Sequence, residues 1–180
     1  MPHIHTLPGQ HDTTSSALIV RLDGPEPRVL YHMHKKIGLL LHPGGHVELD
    51  ENPWQSILRE IVEETGFDLG QLTLLQPRQR LRALTGAYLQ PVAVCQNTHR
   101  FSGDIDHYHS DTCYGFVAGG APVGLPADGE SLDLRWLTAT DLRAIPSNEI
   151  SRNSREMALF MLETCLPEWE EVSLSEYTSH

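Results

Sequence analysis

Glu60, Glu63 and Glu64 stand close together in this chain of 180 residues, with Arg59 immediately before them and Glu51 upstream. On a helix turning about 100° per residue, the three carboxylates fall within an arc of roughly 100°, and Arg59 lies beside Glu63 at its edge. Such a face is locally unfavourable. Glu60 repels Glu63 and Glu64 by about 0.2–0.5 kcal/mol per pair. Glu63 and Glu64 also occupy the last turn, at the negative end of the helix dipole. Arg59 relieves only part of this. A cluster that breaks two local rules calls for a compensating partner, and a divalent cation is the obvious one. Hard carboxylate oxygens suit Mg²⁺ or Mn²⁺, and Mg²⁺ in turn suits phosphates. A solvated acidic face on an ordinary amphipathic helix is the plainer reading of a charge run. The surrounding residues must decide between the two.

The elements that position these groups are well marked. Asn52 suits a helix N-cap, Pro53 the first helical position, and Gln55 the second half of a capping box. Gly66 is the residue type that ends a helix in the left-handed conformation. Trp54, Leu58, Ile61 and Val62 fall on the side away from the glutamates and are expected to face a core. Upstream, His42-Pro43-Gly44-Gly45 forms a glycine-bearing loop. A glycine at position 45 allows backbone to approach a ligand closely.

Glycine, five residues, glutamate, seven residues, then Arg-Glu-Ile-x-Glu-Glu-x-Gly-Phe resembles the complete signature of the Nudix hydrolases. Gly45, Glu51, Arg59, Glu60, Ile61, Glu63, Glu64, Gly66 and Phe67 match it without departure. The resemblance implies an α/β fold: a Nudix-type α/β/α sandwich with a mixed β-sheet. It implies hydrolysis of a nucleoside diphosphate linked to another group, by water attack on phosphorus. In the family, the residues matching Glu60, Glu63 and Glu64 bind divalent metal, and the backbone carbonyl matching Gly45 often adds a ligand. Those matching Arg59 and Glu51 hold the loop and helix in place. Glu48 matches another glutamate common in this loop. Water activation falls to a glutamate of the cluster or to an acid from a later loop. By this resemblance Glu60, Glu63, Arg59 and Glu51 are the catalytic set, and Gly45, Glu60, Glu63 and Glu64 the Mg²⁺ (or Mn²⁺) set. Phosphoryl transfer needs charge neutralisation and positioning more than covalent chemistry, which agrees with that division.

Composition sets limits. Net charge is −11 with pI about 5.3, which argues against nucleic-acid polymers and anionic membranes as partners. A nucleotide-like small molecule is still compatible, because bridging metals invert the local sign. Apolar content of 39% is ordinary for a globular domain. Cys95, Cys113 and Cys165 are far apart and lack zinc-site spacing, so three reduced thiols are expected. There is no basic stretch followed by an apolar run at the start, and no long apolar segment. The expectation is a cytoplasmic protein without signal peptide or membrane span.

The remaining elements read in order. Residues 1–15 form a flexible lead-in, 16–166 a single domain, and 167–180 an acidic, flexible tail. Strands are expected at Ser16–Leu22, Arg28–His34, Ile37–Leu41, Leu72–Gln76, Pro91–Gln96, His107–Val117 and Leu132–Leu137, with a loop over Asn97–Asp106. Thr138 opens a short helix stopped by Pro146. Ser147 caps a last helix reaching Cys165, whose stripe of Ile150, Met157, Leu159, Phe160, Met161 and Leu162 suits either core or a homodimer surface.

Several side chains outside the acidic cluster could meet a ligand. His32 and His34 alternate on one strand face, and Lys35 and Lys36 follow. Arg78, Arg80 and Arg82 could form a basic rim for phosphates, or an exposed connection. His107, His109 and Asp111 share a strand face, which could meet substrate or hold zinc, or could simply be half-buried. Asp111, Glu130 and Asp133 are candidates for the later-loop acid.

The leading expectation is metal-dependent cleavage of a diphosphate linkage. A nucleoside triphosphate is the default substrate, with Tyr or Trp stacking on the base. The alternatives are a catalytically silent nucleotide sensor and, less favoured, a diphosphate isomerase. The coenzyme A and NADH signatures are absent, as is the cysteine-containing stretch of the isomerases.

Overall fold

The computed structural model describes residues 7–102 and 106–177. Among these, nine strands form one mixed sheet: β1 (His11–Arg21), β2 (Arg28–Met33), β3 (Leu40–Leu41), β4 (Gly44–His46), β5 (Leu72–Gln76), β6 (Cys95–Ser102), β7 (Asp106–Ala118), β8 (Leu134–Thr138) and β9 (Glu170–Val172). The helices are α1 (Pro53–Thr65), α2 (Ala139–Ala144), α3 (Arg152–Phe160) and α4 (Leu166–Glu168), with a π-helical turn at Met161–Cys165 between the last two.

Two long central strands organise the sheet. β1 and β7 pair in parallel from His11↔Tyr108 to Arg21↔Ala118. Each divides its outer edge between two antiparallel neighbours. β4 takes the first half of β1 at Thr14↔His46, and β2 takes its end at Val20↔Val29. β6 takes the first half of β7 at His109↔His99, and β5 takes its end at Phe116↔Leu74.

Alternation along β1 and β7 sends side chains to two cores. Ala17, Ile19, Tyr114 and Phe116 pack with Trp54, Ile57 and Ile61 of α1. Leu18, Val20, Cys113 and Val117 pack with Met157, Ala158 and Met161 of α3 and the turn after it. Helices therefore cover both faces, giving the expected α/β/α sandwich. No helix among the described residues is long and apolar enough to cross a membrane.

Several expectations are corrected. β1 begins at His11, because its polar start lies between β4 and β7. Residues 97–102 are strand, where a loop was expected. Asn97, Thr98, His99 and Arg100 give both faces a polar reading, which hides the strand in the sequence, and the backbone pairs with β7 from Asn97↔Asp111 to Ser102↔Asp106. The last helix starts at Arg152, with Ser151 at its N-cap. The apolar stripe is core at Ile150, Met157 and Met161, whereas Phe160 is exposed.

Residues 167–177 are built into the fold. β9 pairs with β5, and Leu174 and Tyr177 are buried. Arg80, expected at a basic rim, secures this segment. Its guanidinium is 1% exposed, meets Glu170 at 2.6 Å, and donates to Tyr177 Oη at 3.0 Å and to the Pro77 carbonyl at 2.8 Å. Arg82 joins it on Glu170, and Arg78 donates to the Glu168 carbonyl. The three arginines serve the C-terminal segment.

Arg80→Ala is expected to lower stability by about 1–3 kcal/mol, because it removes a buried side chain and its N–H donors to the Tyr177 hydroxyl and the Pro77 carbonyl. Arg78→Ala, at an exposed contact, should cost less than about 1 kcal/mol. Urea denaturation of both variants checks the difference.

Candidate active site

The loop and α1 meet as their residue types require. Asn52 accepts from the Trp54 and Gln55 N–H groups, and the Gln55 side chain accepts from the Asn52 N–H, closing the capping box. Gly66 ends the helix at φ 73°. A side chain there would strike the Gly124 carbonyl carbon at 2.6 Å, so glycine also lets the 119–133 loop close over the end of the helix. That loop is fixed by the Gly124 N–H on the Gly66 carbonyl and the Ala127 N–H on the Glu63 carbonyl.

Glu51, Arg59, Glu60 and Glu63 converge. Arg59 donates to both Glu51 oxygens at 2.7 and 3.2 Å, to Glu60 at 2.9 Å, to Glu63 at 3.1 Å and to the His46 carbonyl at 3.3 Å. Glu51 also accepts from the Glu48 N–H. Glu48 thus contributes its backbone to this junction. Glu64 lies apart from Arg59 and accepts from the Gly44 N–H at 2.8 Å. Gly45 rests on Glu60: a Cβ there would lie 2.6 Å from the Glu60 carboxyl carbon.

The acidic face is not the solvated one of the plainer reading. Glu60 is 1% exposed and Glu64 8%, while Glu63 retains substantial exposure. Val62, expected to face the core, is exposed instead, and Ile57 takes a core position. The carboxylate arc is covered because β4 lies against it.

Burial then sets the charge states. It pushes the Glu60 carboxyl up to about 7; Arg59 counteracts, and Glu63 and Glu130 add repulsion. Burial raises Glu64 well above the ordinary range against the Gly44 N–H, with Glu60, Glu130 and Glu63 adding to it. Burial also opposes ionisation of Glu51, but the Arg59 bonds and the Glu48 N–H outweigh it, and its carboxyl is held low.

The other acids separate clearly. Glu130 acts electrostatically on both Glu60 and Glu64. It follows Gly129, whose carbonyl accepts from Lys35 Nζ at 2.8 Å. Asp133 pairs with Arg135 at 2.7 Å. Asp111 sits on the α3 face, accepting from Thr14 at 3.0 Å, Ser16 at 2.7 Å and Asn97 at 3.4 Å. His32 is buried on β2, away from these contacts, and Tyr88 is exposed.

A model of the NUDIX domain matches residues 12–158. This chain belongs to the NUDIX family. A solved NUDIX-family hydrolase from Clostridium perfringens is 29% identical and superposes with TM-score 0.68, over 84% of this chain and 96% of that one. A Caenorhabditis elegans Ap4A hydrolase in a binary complex shares the fold at 16% identity and TM-score 0.56, over 83% and 94% of the two chains. A MutT-like protein from Streptomyces ambofaciens is 34% identical over 87 residues, 48% of each chain. The match thus spans about half the length of that curated relative.

Two features of this NUDIX site escaped sequence reasoning. One is the Gly44 N–H on Glu64; the doubled glycine was its only signal. The other is the burial of Glu60 and Glu64, for which a helical projection carries none.

The donors here fit a hard divalent cation. All are oxygens, the carboxylates outnumber the one guanidinium that reaches them, and Gly45 keeps the space beside Glu60 free of side chain. Cations and protons compete for the same oxygens. Glu60 holds a proton in the folded state up to about pH 7 that the unfolded chain releases near 4.5, so its contribution to metal-free stability falls across that interval. The rise in melting temperature given by Mg²⁺ should therefore be larger at pH 8 than at pH 5.5. An equal rise at both would rule out carboxylate ligation. Gly45→Ala should lose most of that rise, since its Cβ displaces the Glu60 carboxylate.

Proposed function

We propose that this NUDIX protein is a metal-dependent hydrolase that cleaves a diphosphate linkage in a nucleoside-diphosphate-type substrate by water attack on phosphorus. The observation that carries the reading is the pairing of buried Glu60 and Glu64 with a bare glycine strand, beside the half-exposed Glu63. Glu60, Glu63 and Glu64, with the Gly45 carbonyl, would hold Mg²⁺ or Mn²⁺. The bound cation would neutralise phosphate oxygens and lower the pKa of the attacking water.

The chain's own groups have separate tasks. Arg59 joins Glu51, Glu60 and Glu63 through its hydrogen bonds and ties the helix to the His46 carbonyl. Glu51, kept ionised, anchors Arg59. The Gly44 N–H fixes the Glu64 carboxylate and so its direction. Glu63 is the most solvent-accessible carboxylate of the cluster, so a cation it holds would face the substrate's phosphate oxygens. A box glutamate or a later-loop acid takes the water proton. Among the later-loop acids Glu130 is favoured, because it acts on Glu60 and Glu64, whereas Asp133 and Asp111 are engaged elsewhere.

The substrate is a nucleotide-like small molecule. A structural neighbour named for Ap4A is the reason to include dinucleoside polyphosphates beside nucleoside triphosphates among the candidates. The test is release of phosphate, pyrophosphate and nucleotide from nucleoside triphosphates, dinucleoside polyphosphates, ADP-ribose and sugar nucleotides, with Mg²⁺ and with EDTA. One substrate class should be turned over with Mg²⁺ and not with EDTA. Glu63→Gln should lower kcat by at least about 10²-fold with the melting temperature held. No release from any compound, with a nucleotide still raising the melting temperature, would instead identify a binding domain.

A further inference from the structure

β4 carries chemistry on its second face. Gly45 points to α1, and His46 points to the α3 face, where β1 and β7 bring Asp12, His107 and His109. His107 is fully buried, His109 is 9% exposed and Asp12 7%. His107 Nε2 and His109 Nε2 stand 3.1 Å apart. One ring nitrogen from each of His46, His107 and His109 lies within 4.8 Å of the others. The His46 ring meets the His109 ring edge-on at 5.1 Å, and Asp12 Oδ2 is 3.2 Å from His46 Nε2.

We infer that His46, His107 and His109 form a transition-metal site, of the Zn²⁺ class, distinct from the oxygen cluster on α1. Imidazole nitrogens bound at about 2.0–2.1 Å around tetrahedral zinc lie roughly 3.3 Å apart. The His107–His109 spacing already meets that, and the His46 nitrogen, within 4.8 Å of both, would have to move inward by at most about 1.5 Å. Nitrogen donors select Zn²⁺, Co²⁺ or Ni²⁺ and leave Mg²⁺ to the carboxylates. Asp12 faces His46 as an orienting carboxylate does behind a metal-bound imidazole. Phe101 stacks on His109 at 4.8 Å and shields the cluster. His107 and His109 were paired in the sequence with Asp111 as a zinc set. The structure puts His46 in that place, because Asp111 is held by Thr14 and Ser16. Three ligands from β4 and β7 would clamp the glycine strand to the central sheet.

The test is titration of the EDTA-treated full-length protein with Co²⁺ in excess Mg²⁺, followed by the visible absorption of four-coordinate cobalt. Wild type should take up one equivalent with strong absorption, and Zn²⁺ should displace it. Glu60→Gln should keep the band. His109→Gln and His46→Gln should lose it and bind Zn²⁺ at least tenfold more weakly. The zinc-dependent rise in melting temperature should go with it, and the Mg²⁺-dependent rise should remain. The incompletely buried ring of His46 makes that variant decisive if His109→Gln does not fold. No cobalt band in wild type, or a band lost in Glu60→Gln and kept in His46→Gln, would overturn the site.

Discussion

Two carboxyl groups are buried against a strand of glycines: Glu60 meets the Arg59 guanidinium and Glu64 the Gly44 N–H. That constraint explains most of the architecture around α1. Glu60 and Glu64 cannot ionise cheaply where they sit, yet they are not replaced by apolar residues that would pack the same space. Gly45 leaves room, the Gly44 N–H points at one oxygen, and Arg59 spans Glu51, Glu60 and Glu63. Buried carboxyls that ionise only at a cost give up their protons to a cation that takes their place, and gain its attraction in return. The local cost along the helix is the counterpart of that affinity.

The sheet supplies the rigidity such a site needs. β1 and β7 are long, parallel and central, and each shares its edge between two partners. β4 is only three residues long, yet it lies on β1 through Thr14, Ser15 and Ser16 and is pinned at its end by Arg59 on the His46 carbonyl. The 119–133 loop is tethered to the C-terminal end of α1 through Gly66 and Glu63 and to Lys35 through Gly129. Glu130 is thereby brought within electrostatic reach of the buried pair by hydrogen bonds that involve no acid at all.

How much of this was legible follows from which interactions are local. Asn52, Pro53, Gln55 and Gly66 mark α1 to the residue, because capping is decided within one turn of chain. The carboxylate spacing was equally plain. Its burial was not, since a helical projection ranks Glu60 as polar without knowing that glycines approach from β4. Val62 failed for the complementary reason: it is apolar and on the expected side, but it stays exposed. β6 was invisible because Asn97, Thr98, His99 and Arg100 give both faces a polar reading. Arg80 and the C-terminal segment were missed together, because an arginine turns inward only when Glu170 and Tyr177 arrive from far along the chain.

Strand alternation makes β4 a divider between two kinds of ligand chemistry. Adjacent residues point to opposite faces, so Gly45 attends to oxygen donors and His46 to nitrogen donors only one residue apart. Hard and borderline cations sort between such sets by donor type rather than by distance. A metal on the histidine side would fix β4 from behind, and β4 is the surface against which Glu60 is held. The two sites would then be coupled mechanically through a strand too short to bend between them. The coupling would appear as a change in how well the carboxylates are positioned, with no shared ligand required.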